Sequence, residues 1–347
     1  MSDGVQTAHD DDGRVGGRLM TSVQMKAVAL LLRATKRPGS TTIGQVQAAL
    51  AKQKPQSTPP QSLRTRHIVI DQRFGDFTNY SVRPRRENPA ASSGMHPDVQ
   101  PPQRRAVLYL HGGAYVNGMA PQHWSLVSQM VDAGLRVDVS DYGLAPRYTH
   151  RDAYPFVTEV YRALLDEEGS QNVTIVGDSA GGALALGLAQ TFRATPAPTP
   201  TPTPTPRPGQ VPARVHPPMP RQLLLISPWL DLTLTNPEID EFHRHDPWLS
   251  AVALREEGLA WAGGDDPTDP RLSPISGSLQ GLPPTHIYIG TRDILYPDVQ
   301  VLHERSGRVD WHVTVDVCPG AVHVYPLVPA PEGRRAARDI VARCVHG

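Results

Sequence analysis

Ser179 stands in the run Val173-Thr174-Ile175-Val176-Gly177-Asp178-Ser179-Ala180-Gly181-Gly182, with a glycine two residues to either side. The apolar stretch before it reads as a buried strand. The stretch after it, Gly181-Gly182-Ala183-Leu184-Ala185-Leu186, reads as a small-residue helix start. A strand that turns sharply into a helix holds its serine in a strained conformation, and the flanking glycines let the chain pass without clashes. The hydroxyl then stands clear of the sheet, over a helix N-terminus that favours negative charge. Alone, G-x-S-x-G is equally a tight turn with an N-capping serine. With a strand before and a helix after, it points to nucleophilic acyl transfer.

Acyl transfer needs donors for the oxygen that becomes negative. Val107-Leu108-Tyr109-Leu110-His111-Gly112-Gly113-Ala114-Tyr115 is a second buried strand, and it ends in glycines. Small residues allow the backbone to come close to that oxygen. The oxyanion hole is assigned to Gly112, Gly113, Ala114 and Ala180, with the N–H groups of Gly113, Ala114 and Ala180 as donors. Each is expected to contribute roughly 3 kcal/mol in the transition state. His111 reads as a residue that holds this loop, not as a base.

A nucleophilic serine also needs an imidazole to take its proton and a carboxylate to orient the imidazole. Fourteen histidines make a count useless, so position decides. His323 follows the last expected strand, in Cys318-Pro319-Gly320-Ala321-Val322-His323, on a turn at the strand's C-terminal edge. His312 precedes that strand and His346 lies at the terminus. In Gly290-Thr291-Arg292-Asp293 the carboxylate of Asp293 falls just past another strand, on the same edge. Asp298, five residues on, is expected inside the next helix and on the surface. The expected triad is Ser179, Asp293 and His323.

These residues must be carried by an alternation of strands and helices. Strands are expected at His67–Asp71, Ala106–His111, Arg136–Asp141, Val173–Val176, Gln222–Ser227, His286–Gly290 and Val313–Val317. Helices are expected at Val23–Arg37, Pro121–Ala133, Ala153–Glu168, Gly181–Arg193 and Gly333–Cys344. The alternation argues for an α/β fold with a mostly parallel central sheet flanked by helices, in one domain from residue 67 to 347. Residues 1–20 read as a disordered leader and 21–66 as helices of a small N-terminal cap. The Thr-Pro repeat within 195–220 must be extended, because proline supplies no ladder hydrogen bonds. It is expected at the passive edge of the sheet. Residues 231–274 follow a strand C-terminus and so could add to the cap. Tyr115, Trp229, Trp248 and Trp261 are the aromatics considered for the pocket.

Composition narrows the function classes. A chain of 347 residues with 39% hydrophobic and 20% charged residues is that of an ordinary globular protein. Formal net charge is +0, so no overall field favours nucleic acid. Cys318 and Cys344 are the two cysteines, too few for a disulfide framework or a zinc site. The apolar stretch Ala27 to Leu32 is too short for a membrane span or a signal-peptide core. A cytoplasmic protein is expected, with no metal, no cofactor and no nucleic-acid partner, acting on a small ester. A homodimer is compatible with the sequence but is not read from it.

In sequence order, these motifs resemble the bacterial hormone-sensitive-lipase-like esterases, in particular a branch of acetyl and lactone hydrolases. The matching pieces are His111-Gly112-Gly113, Asp141-Tyr142-Gly143-Leu144-Ala145-Pro146, the segment around Ser179, Ser227-Pro228-Trp229-Leu230-Asp231, Ser273-Pro274, Gly290-Thr291-Arg292-Asp293 and His323. The resemblance implies the α/β-hydrolase fold, an N-terminal cap, and a serine esterase acting on short acyl esters or lactones. It departs from the family at Ala114, where a third glycine is usual, at Gly143 for an arginine and at Arg147 for a glutamate. Asp178 and Asp231 match family positions and read as loop-ordering residues. Two other readings use the same residues: an amide hydrolase such as a formamidase, and a binding protein without turnover.

Overall fold

The computed structural model describes residues 21–36, 41–52, 54, 57–85, 105–193 and 216–347. Three strands form the centre: β3 (Ala106–Leu110), β5 (Val173–Asp178) and β6 (Gln222–Ile226). They are buried on both faces, which explains apolar runs with no alternation. Around them lie β1 (Ile68–Phe74), β2 (Phe77–Arg83), β4 (Arg136–Asp141), β7 (Thr285–Arg292) and β8 (Val313–Val322). The sheet order is β1-β2-β4-β3-β5-β6-β7-β8. β1 and β2 pair antiparallel, as do β2 and β4, and every pair from β4 to β8 is parallel.

Successive side chains of each central strand serve opposite layers. Leu108, Leu110, Ile175 and Leu223 meet α5 (His150–Glu168), α6 (Ala180–Thr191) and α9 (Tyr296–Ser306) through Val157, Tyr161, Leu184, Leu188 and Val299. Val107, Tyr109, Val176 and Leu224 meet α1 (Val23–Lys36), α4 (Pro121–Asp132) and α10 (Pro331–His346) through Met25, Val127, Met130 and Ile340. The remaining helices are α2 (Ile43–Leu50), α3 (Gln61–Arg66), α7 (Ile239–His245) and α8 (Ala251–Ala262). The two segments read as cap contributions meet here. Gln47 of α2 donates to Glu256 of α8 at 3.1 Å.

The structure differs from the sequence reading in a few places. β2 has no counterpart among the expected strands. Its middle carries Thr78, Asn79 and Ser81, polar yet buried, and Asn79 donates to Asp138 of β4 at 3.1 Å. A strand satisfied by side-chain hydrogen bonds shows no apolar pattern. β8 continues to Val322, so the residues before His323 are strand and not turn. The leader 1–20 and residues 195–215 of the Thr-Pro segment lie outside the described residues.

Candidate active site

Ser179 closes β5 and opens α6 with φ 51° and ψ −118°. A non-glycine residue held there costs about 1–3 kcal/mol. The surrounding backbone enforces it. The N–H of Ser179 donates to the Ile226 carbonyl at 2.8 Å, and its own carbonyl accepts from Gly182, Ala183 and Trp229 at 3.0–3.2 Å. The flanking glycines are sites of close approach. A Cβ on Gly177 would lie 2.8 Å from the nitrogen of Gly182, and one on Gly181 would run into the carbonyls of Leu110 and His111.

The structure brings Ser179, His323 and Asp293 together, all three buried. Nε2 of His323 is 2.9 Å from Oγ of Ser179, and its Nδ1 is 2.8 Å from Oδ2 of Asp293. Oδ1 of Asp293 accepts the N–H of Leu295 at 3.0 Å, which fixes the carboxylate plane. The turn holding His323 is fastened by Ser227, whose Oγ accepts the Val324 N–H at 3.0 Å. Burial disfavours the imidazolium. The carboxylates of Asp293, Asp246 and Asp178 outweigh that cost and hold the His323 pKa above its ordinary 6.5.

Beside Ser179 the end of β3 turns through Gly112, Gly113, Ala114 and Tyr115, the last three at φ 115°, 53° and 62°. A Cβ on Gly112 would lie 2.9 Å from Cβ of Ser179 and 2.8 Å from the Asp178 carbonyl, so only glycine lets this loop close on the serine. Among the described residues the N–H groups of Gly113, Ala114 and Ala180 take no acceptor outside regular helix or strand bonding. Ala180 is the first residue of α6, where a helix leaves its N–H groups unpaired. Ala180 thus lies at the positive end of the α6 dipole, which favours negative charge.

Under the serine, Asp178 accepts from Tyr109 Oη at 2.7 Å and lies 3.1 Å from Nε2 of His123. Burial alone would raise its pKa, but those two partners hold the carboxyl below the ordinary value. Asp231 accepts from the N–H and hydroxyl groups of Thr233 and Thr235, and so shapes the loop after β6. His111 stacks on Tyr142 at 4.5 Å, with Nδ1 2.7 Å from the Gly112 carbonyl, and burial pushes its pKa down to about 4. It is a neutral loop residue. His312 and His346 are exposed.

Asp298 differs from the expectation. It lies in α9 as expected but is buried and not on the surface, because α9 packs this side inward. Its Oδ1 accepts from Asn236 at 2.9 Å, while Oδ2 has no partner among the described residues. Burial pushes its pKa up to about 6. Of the four aromatics, Tyr115, Trp229 and Trp261 are buried, with Tyr115 and Trp261 stacked at 4.2 Å. Trp248 is half-buried and turns its edge to the His323 ring at 5.7 Å.

Sequence reasoning placed Ser227 in the run Ser227-Pro228-Trp229-Leu230-Asp231 without giving it a role, and missed His123 and Asp246. Ser227 has φ 46°, a strain that apolar periodicity cannot reveal. His123 and Asp246 act through partners 55 and 48 residues away, at Asp178 and Ile294, so no local spacing marks them. Among the described residues no group of His, Cys, Asp or Glu side chains could hold a metal ion. No helix among them is long and apolar enough to cross a membrane.

A buried Ser–His–Asp relay on a strand-to-helix turn, facing unpaired backbone donors, defines a serine hydrolase. Comparison with known proteins agrees. The family described as alpha/beta hydrolase fold matches residues 107–327. An esterase of Acinetobacter venetianus is 31% identical over 81% of this chain and 87% of its own. An acetyl-hydrolase of Streptomyces hygroscopicus is 32% identical over 67% of this chain and 72% of its own. The crystal structure of EstE5 soaked with p-nitrophenyl butyrate is 25% identical, with a TM-score of 0.71 over 93% of this chain and 98% of its own. The chain belongs to the α/β-hydrolase-fold family and is a carboxylic ester hydrolase.

Proposed function

We propose that the chain hydrolyses short-chain carboxylic esters or lactones through an acyl-enzyme on Ser179. The observation that carries this reading is the continuous relay from Ser179 Oγ through His323 to Asp293, at 2.9 and 2.8 Å. Oγ attacks the ester carbonyl while Nε2 of His323 takes its proton. Asp293 holds the Nδ1–H tautomer and stabilises the imidazolium. The carbonyl oxygen gathers negative charge against the N–H groups of Gly113, Ala114 and Ala180. Collapse breaks the bond to the alcohol oxygen, which leaves with the proton from His323. Water then repeats the sequence on the acyl-enzyme, releasing the acid and regenerating Ser179.

A small acyl group is favoured by the surroundings of the oxyanion loop. Tyr115, inside that loop, stacks on Trp261 and lies 5.8 Å from Trp229, so bulky aromatic rings fill the space next to it. The name of the Streptomyces acetyl-hydrolase points the same way. A cytoplasmic location fits Cys318 and Cys344, both buried and unbridged. The test is hydrolysis of p-nitrophenyl esters from acetate to decanoate by wild type and S179A. Turnover is expected to fall with acyl length and to vanish in S179A. Equal turnover in S179A, or a preference for decanoate, would overturn it.

A further inference from the structure

We propose that Asp246, in the loop between α7 and α8, is a positioning residue of the hydrolytic site, whose buried carboxylate clamps that loop to the turn carrying Asp293. This rests on the reading of His323 as the base. Three backbone N–H groups converge on this one side chain. Oδ1 accepts from Trp248 at 2.7 Å and Leu249 at 2.9 Å, and Oδ2 accepts from Ile294 at 3.0 Å. Ile294 is the residue after Asp293, and the next N–H, that of Leu295, goes to Asp293 itself. Consecutive amides of one turn are therefore divided between the two carboxylates.

The clamp acts on both sides of His323. On one side it fixes the turn from which Asp293 reaches Nδ1. On the other it fixes Trp248, whose ring stands edge-on to the imidazole at 5.7 Å and 78°. A neutral amide could not replace it, because only an ionised carboxylate accepts at both oxygens without presenting a donor. The arrangement also places a second negative charge near the base. The charged groups facing His323 are Asp293 from the turn after β7, Asp246 from the α7–α8 loop and Asp178 from the end of β5. Those facing Asp246 are Asp293 and His323. Two carboxylates in one dry region repel, and burial together with Asp293 pushes the Asp246 pKa up to about 6. Natural packing keeps this cost in place, which is expected where the charge serves the site.

The test compares wild type, D246N, D246E and S179A as full chains on p-nitrophenyl acetate, with thermal unfolding to establish that each folds. D246N is expected to lose on the order of 10² in kcat, with KM within about threefold of wild type. Its acid limb of kcat/KM should move to lower pH, because His323 loses a neighbouring negative charge. D246E keeps the charge but displaces it by a methylene, so kcat should fall while the acid limb stays. Should D246N fail to fold, the D246E comparison alone decides. Wild-type kcat in either folded variant, or an unmoved acid limb in folded D246N, would overturn the proposal. Turnover in S179A would instead strike the reading of the site on which the proposal rests, and the proposal with it.

Discussion

Nε2 of His323 lies 2.9 Å from Oγ of Ser179, although 144 residues separate them along the chain. Sheet order makes the meeting inevitable. β5, β6, β7 and β8 are successive parallel neighbours, so the C-terminal ends of β5, β7 and β8 open on one edge. Ser179, Asp293 and His323 each stand just past one of those ends. Ligands in open α/β sheets bind at that edge.

Replacing Asp293 with asparagine should retain the fold and cost on the order of 10⁴ in kcat, as an orienting carboxylate does in serine proteases. An asparagine amide at Oδ2 favours the wrong imidazole tautomer. Steady-state kinetics on p-nitrophenyl acetate checks it, and near-normal turnover would remove Asp293 from the relay.

The pH profile follows from His323. Only the neutral imidazole accepts the serine proton, and the carboxylates around it raise its pKa. Activity should therefore fall as pH drops, with the midpoint of the acid limb of kcat/KM above the ordinary 6.5. A midpoint well below 6.5 would mean that desolvation outweighs the three carboxylates.

Much of this site was legible in the sequence because its members sit at strand ends. Gly177, Ser179 and Gly181 carry their own strand and helix context, and Asp293 and His323 are ordered by chain position. Asp298 was misplaced because a helix pattern gives the element but not the inward rotation set by Asn236 and its neighbours. The role of Ser227, and His123 and Asp246 as residues, escaped for a different reason. Their partners, Val324, Asp178 and Ile294, come from elsewhere in the chain. β2 escaped because buried Thr78, Asn79 and Ser81 replace apolar side chains with hydrogen bonds.

Asp298→Asn should stabilise the protein at neutral pH without changing kcat. Its folded pKa of about 6 lies above the 3.8 of the free side chain. The carboxyl group thus favours folding below pH 3.8, and that contribution is lost as pH rises through about 6. Above that, the buried charge costs roughly 3 kcal/mol, or several degrees in Tm. Thermal unfolding at pH 5 and pH 8 checks it. The gain should be larger at pH 8, and a lower Tm there would contradict it.

Gly112→Ala tests the closing of the oxyanion loop on the serine. The new Cβ would meet the Asp178 carboxylate and lie 2.9 Å from Cβ of Ser179. With the loop displaced, kcat should fall on the order of 10² or more while the far-UV spectrum persists. Full activity in the folded variant would show that the loop does not shape the site.

Whether Ser179 is the nucleophile is decided by covalent trapping with diethyl p-nitrophenyl phosphate, followed by peptide mapping. Oγ should displace p-nitrophenolate and retain the diethylphosphoryl group. One label per chain is expected, on the peptide carrying Ser179, with ester turnover lost in step with labelling and no label in S179A. A label on another residue, or full turnover from chains labelled at Ser179, would contradict it.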